Sequence, residues 1–376
     1  MDFTFSEEQG QLRETLSRFV QKDYTFEKRR AVVGSAEGWS RENWNTLAEM
    51  GVLGVPFAEQ YGGIGGGPVE TMIVMNAIGN GLVVEPYLAT VVLCGGLVQA
   101  LGSESQKQML SQIAEGKLLL ALAHGEPTSR WSLSQVETRA LREGSQWRLS
   151  GRKSVVLYGA QADRLIVSAR VSGNAGEPAG ISLYVVDRAA KGMKVRDTRT
   201  IDGMRAAEIV LEDVVVGAEA MLGAEGRACA AIDAIIDAGA AALCAEAVGA
   251  METLGAQTLE YMKQRQQFGQ PIGRFQVNQH KAANVFIHSE LSKSMAYLAA
   301  MRAQSADAGE RRRAVSAAKG HIGKSGRFIA ENAIQMHGGM GVADELPASH
   351  YAKRLVMIDF WLGDTEHHLD RFIRAG

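Results

Sequence analysis

The sequence predicts an α+β fold that is mostly α, with a helical domain at each end and a β-domain between them. Helical periodicity dominates the first and last parts of the chain, whereas short runs rich in valine, isoleucine and leucine fill the middle. Helices and strands thus occur in blocks rather than in the βαβ alternation that builds a parallel sheet. We place the domains at 1–117, 118–223 and 224–376.

Capping residues mark the helices of the first domain. Ser6 and Gln9 have the spacing of a capping box, in which each side chain bonds the other's backbone N–H, and the same pattern recurs at 103–106. Ser40 is placed to cap a further helix, and Pro68 suits the first turn of another. These signals predict an N-terminal helical domain.

Strand signals begin after the first domain. The runs are LLLALAH, DRLIVSAR, ISLYVVD and EIVLEDVVV, and turn-formers such as SGNAGEPAG separate them. They predict a small β-domain. Beyond it, long runs at about 228–267, 276–304 and 310–337 are rich in alanine and contain few helix breakers. Such helices joined by short loops predict an antiparallel bundle.

Composition excludes several classes of function. The net charge of −2 provides no basic excess for nucleic acid. Three widely spaced cysteines form neither a disulfide framework nor a zinc site, and the adjacent histidines His367 and His368 point in different directions on a helix. With no secretory signal and no uncharged apolar run of about 18 residues, we expect a cytoplasmic protein without a membrane span or metal.

The glycine run GGIGGG at 62–67 superficially matches a nucleotide-binding loop. Such a loop needs a strand before it and a helix after it within a βαβ unit. Because its neighbours read as helical, we interpret the run as a turn between helices.

Three segments together resemble the acyl-CoA dehydrogenase family. They are GVLGVPFAEQYGGIGGG (51–67), YMKQRQQFGQPIGRFQVNQH (261–280) and IQMHGGMG (334–341). The resemblance spans nearly the whole chain and implies that family's fold, with an N-terminal helical domain, a central β-domain and a C-terminal four-helix bundle. GGGPVETMIVM and GDTEHHL are most similar to the branch labelled pimeloyl-CoA dehydrogenase small subunit, which implies a dicarboxylyl-CoA substrate and a partner subunit.

The resemblance implies FAD as cofactor, shared between subunits. Arg265 corresponds to the family's arginine on a neighbouring subunit's FAD, and a guanidinium suits a pyrophosphate. Without the resemblance, the preferred interpretation of Arg265 is a salt bridge at a helix end. The other implied cofactor-binding residues in the helical bundle are Phe268, Gln335, His337, Gly338, Gly339 and Thr365.

The β-domain departs from the family near the flavin ring. His124 and Gly125 lie where backbone groups meet the flavin in the family. The family's Trp-Ile-Thr-Asn strand is replaced, so that Val155 stands for the tryptophan and Leu157 for the threonine. A hydrogen bond to the flavin is lost with that threonine.

The family's catalytic glutamate is also missing. Its two usual positions correspond to Leu362 and Gly239, neither of which can accept a proton. A partner subunit supplies the base, or Asp364 substitutes, or the fold performs flavin-dependent oxygenation. The preferred interpretation of Asp364 is a helix cap. Asp237 aligns with an acid near the bound CoA and is either substrate-binding or a surface charge.

The resemblance therefore implies one subunit of an acyl-CoA dehydrogenase that desaturates an acyl-CoA thioester. Electrons would pass to an electron-transferring flavoprotein, and the assembly would be a homo- or hetero-tetramer. A non-catalytic subunit that completes a partner's FAD site, and a flavin-dependent monooxygenase of the same fold, remain alternatives.

Overall fold

The computed structural model describes residues 5–375. The chain forms two compact units. One, here the helical unit, comprises Met1–Ala31, Pro68–Val84 and Ala240–Gly376. The other, here the sheet unit, comprises Val32–Gly67 and Glu85–Gly239.

Helices account for most of the ordered elements. They are α1 (Glu7–Arg18), α2 (Phe26–Gly34), α3 (Arg41–Glu49), α4 (Pro68–Gly81), α5 (Gly96–Leu101), α6 (Glu104–Ala114), α7 (Cys229–Gln264), α8 (Gln276–Arg302), α9 (Ala308–His337), α10 (Pro347–Phe360) and α11 (Thr365–Arg374). There are also two π-helical segments: Phe19–Asp23 follows α1, and Leu88–Gly95 precedes α5.

The predicted caps are confirmed. Both capping boxes form reciprocal bonds, Ser6 with Gln9 and Ser103 with Gln106. The Ser40 side chain caps α3, and α4 begins at Pro68. Each cap satisfies backbone N–H groups that the first helical turn leaves unbonded.

The sheet unit contains one eight-stranded sheet. Its strands are β1 (Leu120–Ala123), β2 (Arg139–Glu143), β3 (Gln146–Leu157), β4 (Arg164–Arg170), β5 (Ile181–Asp187), β6 (Met193–Arg199), β7 (Arg205–Gly217) and β8 (Met221–Leu222). The order is β6-β7-β3-β2-β4-β5-β8, and β1 pairs in parallel with β4. Two further short strands, β9 (Gln266–Gln267) and β10 (Gln270–Pro271), form a hairpin in the helical unit.

The sequence runs identified β1, β4, β5 and β7 but missed β2, β3, β6 and the two-residue strand β8. Strands β2, β3 and β6 carry many polar side chains, and β6 is exposed along most of its length. Because an edge strand faces water, β6 has no apolar run that the sequence could show. Its antiparallel pairing with β7, and not its composition, makes it a strand.

In the helical unit, α9 packs against α8, α10 and α11. The segment of α7 within this unit lies very close to α4. A Cβ at Gly79 would lie 1.9 Å from the backbone oxygen of Glu246, and one at Gly249 would lie 2.0 Å from that of Asn76. Glycine at both positions permits this backbone contact.

The run at 62–67 is a turn between a 3-10 segment and α4, as predicted. A Cβ at Gly63 would lie 2.0 Å from the Phe57 oxygen, so the turn itself requires a glycine. Helix α7 is long and apolar enough to cross a membrane by length and composition alone. However, 78% of its most apolar 18-residue window is buried, as in a core helix.

Candidate functional site

The sheet unit brings His124 and Gly125 next to the segment that contains Val155. Both follow β1 directly, and the Ser154 N–H donates to the Gly125 oxygen at 2.9 Å. The two segments that resemble the family's flavin-contacting segments are therefore adjacent.

Val155 lies in a β-bulge. The register between β3 and β7 shifts between Lys153 and Val156, and Val155 has a φ of 54° with its side chain 56% exposed. A positive φ is rare for a β-branched residue, and such strain is typical of functional sites. Leu157 is half-buried. Neither side chain can donate a hydrogen bond.

A buried ion pair anchors the loop between β1 and β2. Lys153 Nζ lies 2.7 Å from Glu126 Oε1, and the two side chains are 0% and 3% exposed. Glu126 also accepts from the Glu137 N–H at 2.7 Å and from the Thr138 N–H and hydroxyl at 3.1 and 2.6 Å. Burial lowers the pKa of Lys153 to about 8. Burial alone would raise the pKa of Glu126, but Lys153 and the donated hydrogen bonds hold it below its usual value.

His124 is tied to the same cluster. Its Nδ1 lies 2.9 Å from Ser168 Oγ, and Lys153 Nζ donates to Ser168 Oγ at 3.0 Å and to the His124 oxygen at 3.3 Å. Burial and the nearby Lys153 charge lower the pKa of His124 to about 3, so its imidazole is neutral at physiological pH.

In the helical unit, the Arg265 turn and the 335–339 segment lie together. Tyr261, one turn before Arg265, stacks on His337 at 4.4 Å, and its hydroxyl donates to the His337 oxygen at 3.3 Å. Arg265 is exposed, and within residues 5–375 the structure shows no ion pair to its guanidinium. Phe268 is 92% exposed with a φ of 54°. The turn thus presents a cation and an aromatic ring to solvent.

The end of α9 leaves its backbone open. Gly338 caps the helix with a φ of 61°, and a Cβ at Gly338 or Gly339 would meet nothing within 4 Å. Gln335 is exposed. His337 is buried, and its Nδ1–H donates to the Ala333 oxygen at 2.8 Å. Exposed glycine backbone beside a free arginine suits close approach of a phosphate or ribose.

Buried side chains donate hydrogen bonds to the backbone of the turn from Asp359 to Thr365. Lys319 Nζ donates to the oxygens of Asp359 and Gly363 at 3.0 and 2.8 Å. His368 Nε2 donates to the Leu362 oxygen at 3.0 Å. Burial lowers the pKa of Lys319 to about 8. Leu362, at a usual position of the base, has a φ of 59° and is partly exposed.

Asp364 caps α11. Its carboxylate accepts a hydrogen bond from the His367 N–H at 2.8 Å, as the helix-cap interpretation predicts. Thr365 donates to Asp359 Oδ1 through its hydroxyl at 2.7 Å and its N–H at 3.1 Å. Both Asp364 and Thr365 therefore have structural bonds in this turn.

The helical unit places its predicted site residues in two groups. The Thr365 group packs on α9 at Gly323, where a Cβ would touch Asp359 and Thr365. The Arg265 group lies at the end of the same helix, at His337. Fourteen residues of helix separate the two contacts, or about 21 Å. The Arg265 group and the Thr365 group thus lie at well-separated places along α9.

Asp237 is 0% exposed, so its interpretation as a surface charge is wrong. Gly239 is also buried. Among residues 5–375, no group of three or more His, Cys, Asp or Glu side chains is placed to hold a metal ion. Sequence reasoning missed Lys153, Ser168 and Lys319. No local signal marked the two lysines, because Lys153 follows Arg152 directly and Lys319 lies in a segment with other basic residues.

Family models match along the whole chain. The acyl-CoA dehydrogenase N-terminal domain matches residues 6–117, the middle domain 121–214 and the C-terminal domain 229–376. The mitochondrial long-chain specific acyl-CoA dehydrogenase of Sus scrofa is 32% identical over 365 residues, covering 91% of this chain and 80% of the relative. This chain belongs to the acyl-CoA dehydrogenase family. The short-chain specific acyl-CoA dehydrogenase of Clostridium acetobutylicum is 27% identical over 380 residues, covering 97% of each.

Solved structures share the acyl-CoA dehydrogenase fold over the full chain. Butyryl-CoA dehydrogenase from Megasphaera elsdenii has a TM-score of 0.89 at 26% identity, covering 100% of this chain and 99% of that one. The ChsE4-ChsE5 complex from Mycobacterium tuberculosis has a TM-score of 0.88 at 26% identity, with 100% and 98% covered. The FAD complex of PigA has a TM-score of 0.90 at 25% identity, with 100% and 98% covered.

Family membership confirms the predicted fold and the FAD prediction. The chain's own residues fit this acyl-CoA dehydrogenase cofactor. Arg265 offers an unpaired guanidinium for a pyrophosphate, and Gly338 and Gly339 leave room beside their backbone. In the sheet unit, the exposed bulge at Val155 beside Gly125 offers backbone groups to a planar ring.

Proposed function

We propose that this protein is one subunit of an FAD-dependent acyl-CoA dehydrogenase, and that a second acyl-CoA dehydrogenase chain supplies the catalytic base. The reaction removes the α-hydrogen of an acyl-CoA thioester as a proton and the β-hydrogen as a hydride, leaving an α,β-double bond. FAD, when bound, accepts the hydride. The observation that carries the proposal is a well-anchored turn with Leu362 where the family's base usually stands.

Buried side chains hold the turn that contains Leu362 in a fixed conformation. Buried Lys319 and His368 donate to three of its backbone oxygens, and Asp359 holds Thr365. These bonds satisfy buried backbone oxygens and fix the turn that presents Leu362. Leu362 carries no proton acceptor, and the carboxylate of Asp364 already accepts a backbone N–H.

The exposed features of the helical unit support an assembly. Arg265 and Phe268 project into solvent. One face of α8 also carries an exposed apolar stripe, spaced as one side of a helix. Its members are Val277, Ile287, Leu291, Leu298 and Met301. The separation of about 21 Å along α9 between the Arg265 group and the Thr365 group supports their serving different cofactor sites. We infer a homo- or hetero-tetramer.

The substrate and electron acceptor follow from the resemblance to the pimeloyl-CoA branch. We infer a dicarboxylyl-CoA such as pimeloyl-CoA as substrate, an electron-transferring flavoprotein as acceptor and a cytoplasmic location. Buried Asp237 on α7 remains a candidate contact for the CoA chain.

A second candidate function is a purely structural subunit. The observation that favours it is the bulge in β3, where Val155 and Leu157 provide no side-chain hydrogen-bond donor for a flavin ring. In that case Arg265 and the 335–339 segment would complete a partner's FAD site while this chain's own sheet unit held none.

Co-expression tests the proposal. The chain is produced alone and together with a second acyl-CoA dehydrogenase chain that has a glutamate at the position of Leu362. Pimeloyl-CoA-dependent reduction of an artificial electron acceptor is then measured, and native mass spectrometry counts chains and FAD. We expect activity only in a mixed assembly. Full activity of the chain alone would refute the role of a partner base. A mixed assembly with FAD only in the second chain would favour the structural subunit.

A further inference from the structure

The hydrogen bonds around Ser168 run in one direction only. An ammonium group has donors and no acceptor, so Lys153 Nζ must donate its bond of 3.0 Å to Ser168 Oγ. Ser168 is fully buried, and among residues 5–375 the structure shows no acceptor for its hydroxyl proton other than His124 Nδ1, at 2.9 Å, so the proton points to that nitrogen. His124 Nδ1 is therefore an acceptor, and the ring proton of the neutral imidazole lies on Nε2.

Lys153 holds this direction firmly. Its other bonds go to Glu126 Oε1 at 2.7 Å and to the His124 backbone oxygen at 3.3 Å, so all three ammonium protons have acceptors. The same burial that lowers the pKa of His124 to about 3 keeps the doubly protonated imidazole from forming at neutral pH. The tautomer of His124 is thus set by its neighbours.

The Nε2–H group is available to a ligand. His124 is only 8% exposed, and within residues 5–375 the structure shows no acceptor bonded to Nε2. Nε2 is not one of the fully buried atoms that lack a partner, so it keeps contact with solvent and a ligand acceptor can reach it.

The position of this donor indicates what it serves. His124 precedes Gly125, whose oxygen bonds Ser154 beside the strained and exposed Val155. This edge of the sheet contains the two segments that resemble the family's flavin-contacting segments. At this end of β3, Val155 and Leu157 offer no side-chain donor, whereas His124 offers one on the neighbouring loop.

We propose that the His124 Nε2–H donates a hydrogen bond to a conjugated acceptor bound against this edge, either the flavin ring of FAD or the thioester carbonyl of the acyl-CoA. This assignment rests on the proposed function. Ser168 and Lys153 are positioning residues, because they act only through the tautomer of His124. No bond is made or broken in this role.

Nitrogen-15 NMR of histidine in the full chain without ligand tests the tautomer directly. We expect the His124 signals of an Nε2–H imidazole at neutral pH. Ser168→Ala should produce a mixture of tautomers, and Ser168→Thr, which keeps a hydroxyl, should restore the single form. A His124 proton on Nδ1 in the unmodified protein would overturn the proposal and leave the proposed function untouched.

Ligand affinity tests the acceptor. His124→Leu removes the donor at similar volume, whereas His124→Gln places an amide N–H near the position of Nε2. We expect the variant with leucine to bind its ligand about fivefold to tenfold more weakly, the loss of one hydrogen bond, and the variant with glutamine to stay within about threefold. A loss in FAD affinity assigns the flavin, and a loss only in the affinity of the FAD-loaded protein for pimeloyl-CoA assigns the thioester.

The failure outcomes are distinct. Equal affinities of the unmodified protein and His124→Leu for both ligands would overturn the donor role while leaving an FAD protein. Absence of FAD binding by the unmodified chain would overturn the donor role and favour the structural subunit over the proposed catalytic role. Melting curves confirm that each variant is folded, and the NMR result decides the tautomer even if His124→Leu does not fold.

Discussion

Replacing Lys153 with methionine removes one half of the buried ion pair that anchors the loop between β1 and β2. Methionine has a similar length and no charge. The variant leaves the Glu126 carboxylate buried with three neutral donors from Glu137 and Thr138. It also removes the donors to Ser168 Oγ and the His124 oxygen.

Burial sets the size of the effect. Both partners of the pair are almost completely buried, at 0% and 3% exposure, so the charge of Glu126 cannot recover its hydration. Breaking such a pair from one side costs about 3–5 kcal/mol. The three remaining bonds to Glu126 place the expected loss near the lower value.

Lys194→Met provides a matched control. Lys194 and Glu212 form an ion pair of 2.6 Å in the same sheet, but their side chains are 67% and 55% exposed. An exposed pair contributes at most about 1 kcal/mol.

The assay is urea unfolding, together with hydrogen exchange of the β3 amides, because a chain of two compact units need not unfold in one step. We expect lost protection in β3 for Lys153→Met and near-normal protection for Lys194→Met. Equal, small effects of the two substitutions would refute the reasoning from burial.

Three further predictions concern the helical unit. Burial lowers the pKa of His368 to about 2, so below pH 6.5 the unfolded chain binds a proton that the folded chain does not. The free energy of unfolding should therefore fall by about 2 kcal/mol between pH 7 and pH 5. Urea unfolding of His368→Gln should show a flatter pH dependence. Gly323→Ala should lower the free energy of unfolding by about 1–3 kcal/mol, because the new Cβ would lie 2.1 Å from the buried Asp359 Oδ1. The control is Gly320→Ala, where the nearest atom is 3.5 Å from the new Cβ and alanine should be neutral or stabilising. Equal melting temperatures of the two variants would contradict this. Arg265→Ala should weaken FAD retention by about tenfold or more at an unchanged melting temperature, while Lys263→Ala, also exposed, should retain FAD normally in gel filtration.

Local sequence signals predicted much of the fold because their physics is local. A capping box involves side chains three residues apart, so Ser6 and Gln9 announce the start of α1 without any tertiary information. The three long helical runs correspond to α7, α8 and α9, with ends within a few residues of those predicted. β3 and β6 escaped prediction because strand pairing, not composition, orders them.

The site was harder to predict from sequence. Residue-by-residue likeness to the family pointed to Arg265, Gly338 and Leu362. It could not reveal that Lys153 reaches Glu126 across 27 positions, or that Lys319 supports a turn 40 residues later. Those bonds depend on the tertiary packing of distant elements, which no spacing rule encodes.

As proposed, this chain is an acyl-CoA dehydrogenase subunit without its own base. The visible flavin spectrum of the FAD-loaded chain purified alone, before and after anaerobic addition of pimeloyl-CoA, tests this. We expect the flavin to stay oxidised, because neither Leu362 nor Gly239 can accept the α-proton. Stoichiometric bleaching would contradict it, and loss of that bleaching in Asp364→Asn would identify Asp364 as the base.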